Sequence, residues 1–181
     1  GMVSRADVDA ASTSGPTARL EPLRGVRRAM AANMARAHAE VVPATVTDDA
    51  DVGNWATDED ITLRLVRAIG AACRAEPALN MAFHGPDRGR SPNATVDLGM
   101  AVDTPDGLFV PVLSDIVSRS ATDLRSAIEA MKHDVVNRSI PPGDLRGQTI
   151  TLSNFGVFGG RHAALVVVPP QVAIVGAGRR R

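Results

Sequence analysis

The chain has 181 residues, and its 20 Lys and Arg are balanced by 20 Asp and Glu, so the formal net charge is zero. That length fits one domain with room for a sizeable core. The 44% hydrophobic content excludes a disordered chain, and the neutral balance argues against nucleic-acid or anionic-membrane partners held by bulk charge. The single cysteine, Cys73, excludes an internal disulfide framework and a multi-cysteine metal site. Aromatic residues are 3% with no tyrosine, which leaves few base-stacking platforms. No apolar run approaches the ~20 residues of a membrane span. The start, GMVSRADVDA, has no apolar signal core. These features predict a soluble, cytoplasmic protein. Gly1 before Met2 resembles the residue left by tag removal.

Residues 1–20 read as a linker, because STSGPTA is small and polar with no apolar period. Gly25 to about Glu40 predicts a helix with Val26, Met30 and Met34 on one face, ended by Pro43. Val46, Ala50 and Val52, separated by polar residues, predict a half-exposed strand within 44–52. Thr57 followed by Asp60 reads as a helix start. The helix it opens carries Ile61, Leu65, Ile69 and Cys73 as one stripe and closes at Pro77. Residues 84–93 are rich in turn formers. Val96, Leu98, Met100 and Val102 then alternate with Asp97, Gly99, Ala101 and Asp103 as a strand. A turn at Thr104–Gly107 leads into a second strand, Leu108–Leu113, and the two predict a hairpin limited by Pro111. Ser120–Asp123 starts a helix with Leu124, Ile128, Met131 and Val135 on one face. Thr149–Asn154 predicts a strand, 155–160 a glycine-rich loop, and Val172–Gly176 a last strand. The mixture is α/β or α+β, with a sheet that is at least partly antiparallel.

Few residues advertise chemistry by themselves. The loop glycines Gly156, Gly159 and Gly160 lack the spacing of a dinucleotide fingerprint or a P-loop, and read as a turn that needs positive φ. His38, His84, His133 and His162 are scattered, with no metal-ligand spacing. Cys73 lies on an apolar stripe, where an inert buried thiol is the default. Ser153 ends the strand TITLS just before Asn154-Phe155-Gly156. It reads either as an ordinary strand-terminal serine or as a hydroxyl presented into a cleft.

Five phrases carry a resemblance. GVRRAMAANM (25–34), EPALN (76–80), DLGMAVDTPDGLFVPVLSD (97–115), LRGQTITLSNFGVFGG (145–160) and PPQVAIVGAG (169–178) resemble, in order and spacing, the catalytic domain of the acyltransferase component of 2-oxoacid dehydrogenase complexes. SRADVDAA also resembles the end of the peripheral subunit-binding domain that precedes the linker and catalytic domain in that family. The resemblance implies an α/β chloramphenicol-acetyltransferase-like two-layer sandwich, with a mixed sheet and packed helices, over residues 21–181. It implies acyl transfer between a dihydrolipoyl thiol and coenzyme A, in a channel between subunits of a homotrimer that assembles into a larger core. Decarboxylase and dihydrolipoamide dehydrogenase components would be its partners. By position, Ser153 corresponds to the hydroxyl that hydrogen-bonds to the oxyanion of the tetrahedral intermediate, and Asn154 and Gly156 would line the same channel as cofactor-binding residues.

The family's catalytic histidine sits in a D-H-R-x-x-D-G motif beyond the PPQVAIVGAG phrase. No such motif occurs up to Arg181. The sequence therefore predicts a catalytic domain that is C-terminally incomplete and inactive alone, with a non-catalytic trimer-forming assembly module as the rival reading. A free-standing acyl-CoA transferase acting on a small molecule is a third reading, disfavoured by the multidomain character of the first 20 residues.

Overall fold

The computed structural model describes residues 4–6, 21–56, 58–105 and 107–180. Apart from Ser4–Ala6, the expected linker lies outside the described residues, as does Thr57. From residue 21 onward the described residues form three α-helices: α1 (Gly25–Glu40), α2 (Ile61–Ala75) and α3 (Ala121–Val136). The strands are β1 (Met81–His84), β2 (Gly89–Pro92), β3 (Leu98–Met100), β4 (Val102–Thr104), β5 (Gly107–Phe109), β6 (Val112–Leu113), β7 (Ile150–Asn154) and β8 (Ile174–Ala177). Short 3₁₀ turns occupy Pro77–Asn80, Pro142–Leu145 and Phe155–Phe158.

The main sheet has the order β6-β3-β7-β8. β3 runs antiparallel to β6 and parallel to β7, and β7 runs parallel to β8. The expected α/β mixed sheet with packed helices is therefore present. Successive side chains on a strand point to opposite faces. The register Leu98↔Ile150 and Met100↔Leu152 puts four apolar residues on one face. Val66, Ile69 and Cys73 of α2, with Leu124 and Ile128 of α3, join them in one buried cluster. Gly99 and Thr151, paired in the same ladder, lie on the other face and are also buried. The two central strands are thus covered on both sides, as parallel strands are.

The long hairpin expected over 96–113 is broken in two. Val102–Thr104 leaves the main sheet and pairs with Gly107–Phe109 as a separate ribbon, while Val112–Leu113 returns to β3. Pro111, which has no N–H to give, is buried at the break, and its carbonyl accepts from the Met100 N–H at 2.9 Å. Residues 84–93 contain a hairpin rather than turns alone, since Met81–His84 pairs with Gly89–Pro92 around a tight turn.

One further expectation fails. Residues 44–52 form no strand, and Val46 is 95% exposed; among the described residues no strand pairs with them. The helix expected over Gly25 to about Glu40 is present as α1, with Met30 and Met34 exposed and Ala37 as its buried residue. The helix touches the rest of the chain near β5 and turns its methionine stripe outward.

Asp60 opens α2 and also ties it to α3. Its Oδ1 accepts from the Leu63 N–H at 3.1 Å, and its Oδ2 pairs with the Arg125 guanidinium. Removing an N-cap acceptor costs about 0.5–2 kcal/mol. Asp60→Ala is therefore expected to lower stability by about 1–2 kcal/mol. Asp60→Asn should lose only a few tenths, since it keeps the cap and gives up a half-exposed ion pair. Urea titration of the two variants checks the ordering.

Candidate functional site

Thr149, Thr151 and Ser153 alternate with Ile150 and Leu152, so the apolar pair faces the helices and the hydroxyls face away from them. Ser153 sits at the C-terminal end of β7, half-buried, opposite Gly176 of β8. Its hydroxyl forms no hydrogen bond among the described residues. A strand-end hydroxyl that the fold leaves uncommitted can donate to a ligand arriving outside the ends of parallel strands, where open α/β sheets place their sites.

Asn154 follows at the start of the 3₁₀ turn Phe155–Phe158 and gives that turn no side-chain cap. Gly156 packs against the exit of β8, where a Cβ would lie 2.5 Å from the Gly178 carbonyl oxygen. Ser153, Asn154 and Gly156 thus come together at the C-terminal end of β7, beside Ala177–Arg179. Of the three loop glycines, Gly159 adopts positive φ (+77°). Gly156 and Gly160 are not at positive φ, which corrects the turn reading. Gly156 is required by backbone contact with Gly178, and Gly160 by the Phe155 ring, 3.0 Å from its would-be Cβ. The turn exposes Val157 and Phe158, the latter 71% accessible.

The segment after the turn, 161–169, has no regular structure and crosses the same face of the sheet. Leu165 lies over Gly176: a Cβ on that glycine would be 2.7 Å from Leu165 Cδ1 and 2.9 Å from Phe155 Cε1. The glycine opposite Ser153 therefore makes room for this wall. Residues 169–171 bind the wall's far end to three elements. Arg36 of α1 donates to the Pro169 carbonyl at 2.6 Å, the Phe83 N–H donates to the Pro170 carbonyl at 2.8 Å, and the Thr151 hydroxyl donates to Gln171 Oε1 at 2.7 Å. Thr151, Gln171 and Leu165 were not legible as site residues. In TITLS and PPQVAI, Thr151 and Gln171 read as ordinary strand alternation and a strand approach, and Leu165 lies in RHAALVVV, which carries no motif.

The other candidates lie elsewhere. His84 pairs with Ser91 and His133 with Asn137, both at 2.8 Å on the surface. His38 is in the last turn of α1. His162 is exposed, with no hydrogen bond among the described residues. No three His, Cys, Asp or Glu side chains come together as a metal site among the described residues. Two surface cavities, of about 230 and 570 Å³, are lined by neither Ser153, Asn154 nor Gly156.

Cys73 is buried in the core cluster, and burial pushes its thiol above the ordinary range. Thiolate is the reactive form, so a raised pKa and lack of access act together. Ellman's reagent at pH 7 is expected to label the native protein far more slowly than the guanidinium-unfolded chain. Rapid native labelling would contradict the placement of Cys73.

Comparison with known proteins agrees with this architecture. Residues 15–181 match the family described as 2-oxoacid dehydrogenases acyltransferase (catalytic domain). The dihydrolipoyllysine-residue acetyltransferase component of the pyruvate dehydrogenase complex of Corynebacterium glutamicum is 34% identical over 113 residues, covering 62% of this chain and 17% of that protein. The corresponding component of Bacillus subtilis is 27% identical over 173 residues, 88% of this chain and 39% of that protein. The chain thus spans well under half the length of these relatives. Among solved structures, a truncated catalytic core of the 2-oxoacid dehydrogenase multienzyme complex from Thermoplasma acidophilum superposes with a TM-score of 0.80 at 24% identity, covering 89% of this chain and 80% of that one. The cubic core of a pyruvate dehydrogenase multienzyme complex gives 0.79 at 22% identity, covering 90% and 74%. With the family matched over nearly its whole length and the same fold, the chain belongs to the 2-oxoacid dehydrogenase acyltransferase catalytic-domain family.

Proposed function

We propose that residues 21–181 form the main part of an acyltransferase domain that moves an acyl group between a dihydrolipoyl thiol and coenzyme A. The observation that carries this reading is the uncommitted, half-buried hydroxyl of Ser153 at the C-terminal end of β7. Thiol-to-thioester exchange needs a base to form thiolate, because a thiol of pKa ~8.5 is mostly protonated at neutral pH. It also needs a donor for the oxygen that becomes negative in the tetrahedral intermediate. Ser153 is the donor. The base is the histidine of a D-H-R-x-x-D-G segment contributed by a neighbouring subunit. Asn154 and Gly156, on the turn that follows Ser153, line the coenzyme A side of the channel.

A homotrimer that assembles into a larger core is part of the proposal. Its support is the apolar surface that one chain leaves open: Met30 and Met34 on α1, the unpaired stretch carrying Val42 and Val46, and Val157 and Phe158 beside the site. In such a core the decarboxylase component loads the acyl group onto the lipoyl arm, and the dihydrolipoamide dehydrogenase component reoxidises the dithiol that acyl transfer leaves. The test is acetyl transfer from acetyl-CoA to dihydrolipoamide by the full-length protein carrying the D-H-R-x-x-D-G segment, with light scattering on the same sample. Saturable transfer by a trimeric particle is the expected result. A trimer with no transfer would favour the assembly-module reading, and a monomer with no transfer would overturn both.

A further inference from the structure

We propose that the buried hydrogen bond between Thr151 and Gln171 is a positioning device for Ser153: it holds the irregular segment 161–171 as a fixed wall on the face of β7 from which Ser153 projects. The proposal rests on the reading of Ser153 given above and adds two residues to it. Thr151 and Ser153 are two apart on one strand, so their side chains leave the same face about 7 Å apart. Thr151 and Gln171 are only 6% and 7% exposed, and their 2.7 Å contact spans 20 residues of sequence. A buried polar group is retained at low cost only when it is paired, so this contact is a strong local constraint.

The surroundings keep the pair from moving. Gly99, opposite Thr151 in the ladder, has no space for a side chain: a Cβ would come within 3.0 Å of Thr151 Oγ1 and 2.9 Å of Val110 Cγ1. On the other side, the backbone around Gln171 bridges to Ala82, and Gln171 donates its own N–H to the Val168 carbonyl at 3.2 Å. Between its ends the wall has no secondary structure of its own. One end is tied where the Arg179 N–H donates to the Gly160 carbonyl at 2.8 Å. At the other end, Gln171 is the side chain that carries the clamp on residues 169–171 into the strand bearing Ser153. Between them Leu165 rests on Gly176, the residue paired with Ser153. Releasing Gln171 frees the wall to shift relative to the hydroxyl, and a misplacement of about 1 Å can cost up to about 10²-fold in rate.

The experiment compares Thr151→Val, Thr151→Ser and the double variant Thr151→Val/Gln171→Leu in the full-length protein carrying the D-H-R-x-x-D-G segment, with Ser153→Ala run beside them. Thr151→Val is expected to lower kcat by about 10–10²-fold while KM for coenzyme A changes less than about threefold. Thr151→Ser, which keeps the hydroxyl, should restore most of kcat. The double variant replaces both partners by apolar groups and should recover much of the melting temperature lost in Thr151→Val, with kcat remaining low. Tryptic cleavage after Arg161, read on the 181-residue polypeptide without any assay of activity, should be faster in Thr151→Val than in Thr151→Ser. Recovery of kcat in step with melting temperature in the double variant would reduce the pair to a packing role and overturn the proposal. Normal kcat in Thr151→Val beside a slow Ser153→Ala would overturn the positioning alone. Normal kcat in Ser153→Ala would overturn the role of Ser153 on which it depends.

Discussion

Ser153→Ala, in the full-length protein carrying the D-H-R-x-x-D-G segment, is expected to lower kcat by about 10²–10³ and leave KM nearly unchanged. The magnitude is that of losing one preorganised donor to a developing oxyanion, about 2.7–4 kcal/mol. The split follows from when the bond matters. In the ground state the thioester oxygen carries little charge and gains little from the hydroxyl. In the tetrahedral intermediate it carries nearly a full charge, so the lost interaction belongs to the transition state. The structure also says what the substitution should not do. The hydroxyl forms no hydrogen bond among the described residues, so its removal leaves no buried partner unsatisfied, and the melting temperature should hardly move. Ser153→Thr keeps the donor and should be milder, although its extra methyl group enters a face already occupied by Leu165 over Gly176. Unchanged kcat with a lowered melting temperature would make Ser153 a strand-end residue and nothing more.

What the sequence made legible divides along physical lines. Where one face of an element is buried against a large apolar neighbour, periodicity reported it: α2 and α3 lie close to where their stripes place them, and Ile69, Cys73, Leu124, Ile128 and Val135 are buried. Where an element's fate depends on what lies beside it, periodicity misled. Val46, Ala50 and Val52 alternate like a strand, but alternation only describes a surface suited to pairing, and among the described residues no strand pairs with it. On α1 the spacing of Val26, Met30 and Met34 marked the helix correctly, and the two methionines face outward from it. Asp97, read only as one position of an alternating strand, organises three chain segments. Its carboxylate accepts from the Asp115 N–H and the Thr95 hydroxyl, while its own N–H donates to Thr149 Oγ1. At the candidate site, local chemistry left Ser153 open between a strand-end serine and a hydroxyl presented into a cleft, and only the phrase around it offered it a role. The Thr151–Gln171 pair escaped because a hydrogen bond across 20 residues leaves no periodic trace.

The 181-residue polypeptide itself is expected to transfer acetyl groups from acetyl-CoA to dihydrolipoamide at no more than about 10⁻²–10⁻⁴ of the rate of the full-length protein carrying the D-H-R-x-x-D-G segment, the range set by loss of a general base. The residues up to Arg181 contain no such motif, and none of the four histidines replaces it. His84 and His133 are engaged with Ser91 and Asn137 on the surface, and His38 lies in α1. His162 is the nearest in sequence to Ser153, but it is exposed, and among the described residues no carboxylate or carbonyl fixes its tautomer or aims its ring. A base that is not held within hydrogen-bond reach of the thiol removes its proton no better than buffer does. Retention of Ser153 still predicts some stabilisation of the intermediate, so the residual rate should rise with pH as solution hydroxide supplies thiolate, and should fall further in Ser153→Ala. Rates measured from pH 6 to 9 on homogeneous 181-residue protein decide the matter. A pH-independent rate close to that of the full-length protein would mean that another group within this chain acts as base, and His162→Gln would then be the first variant to make.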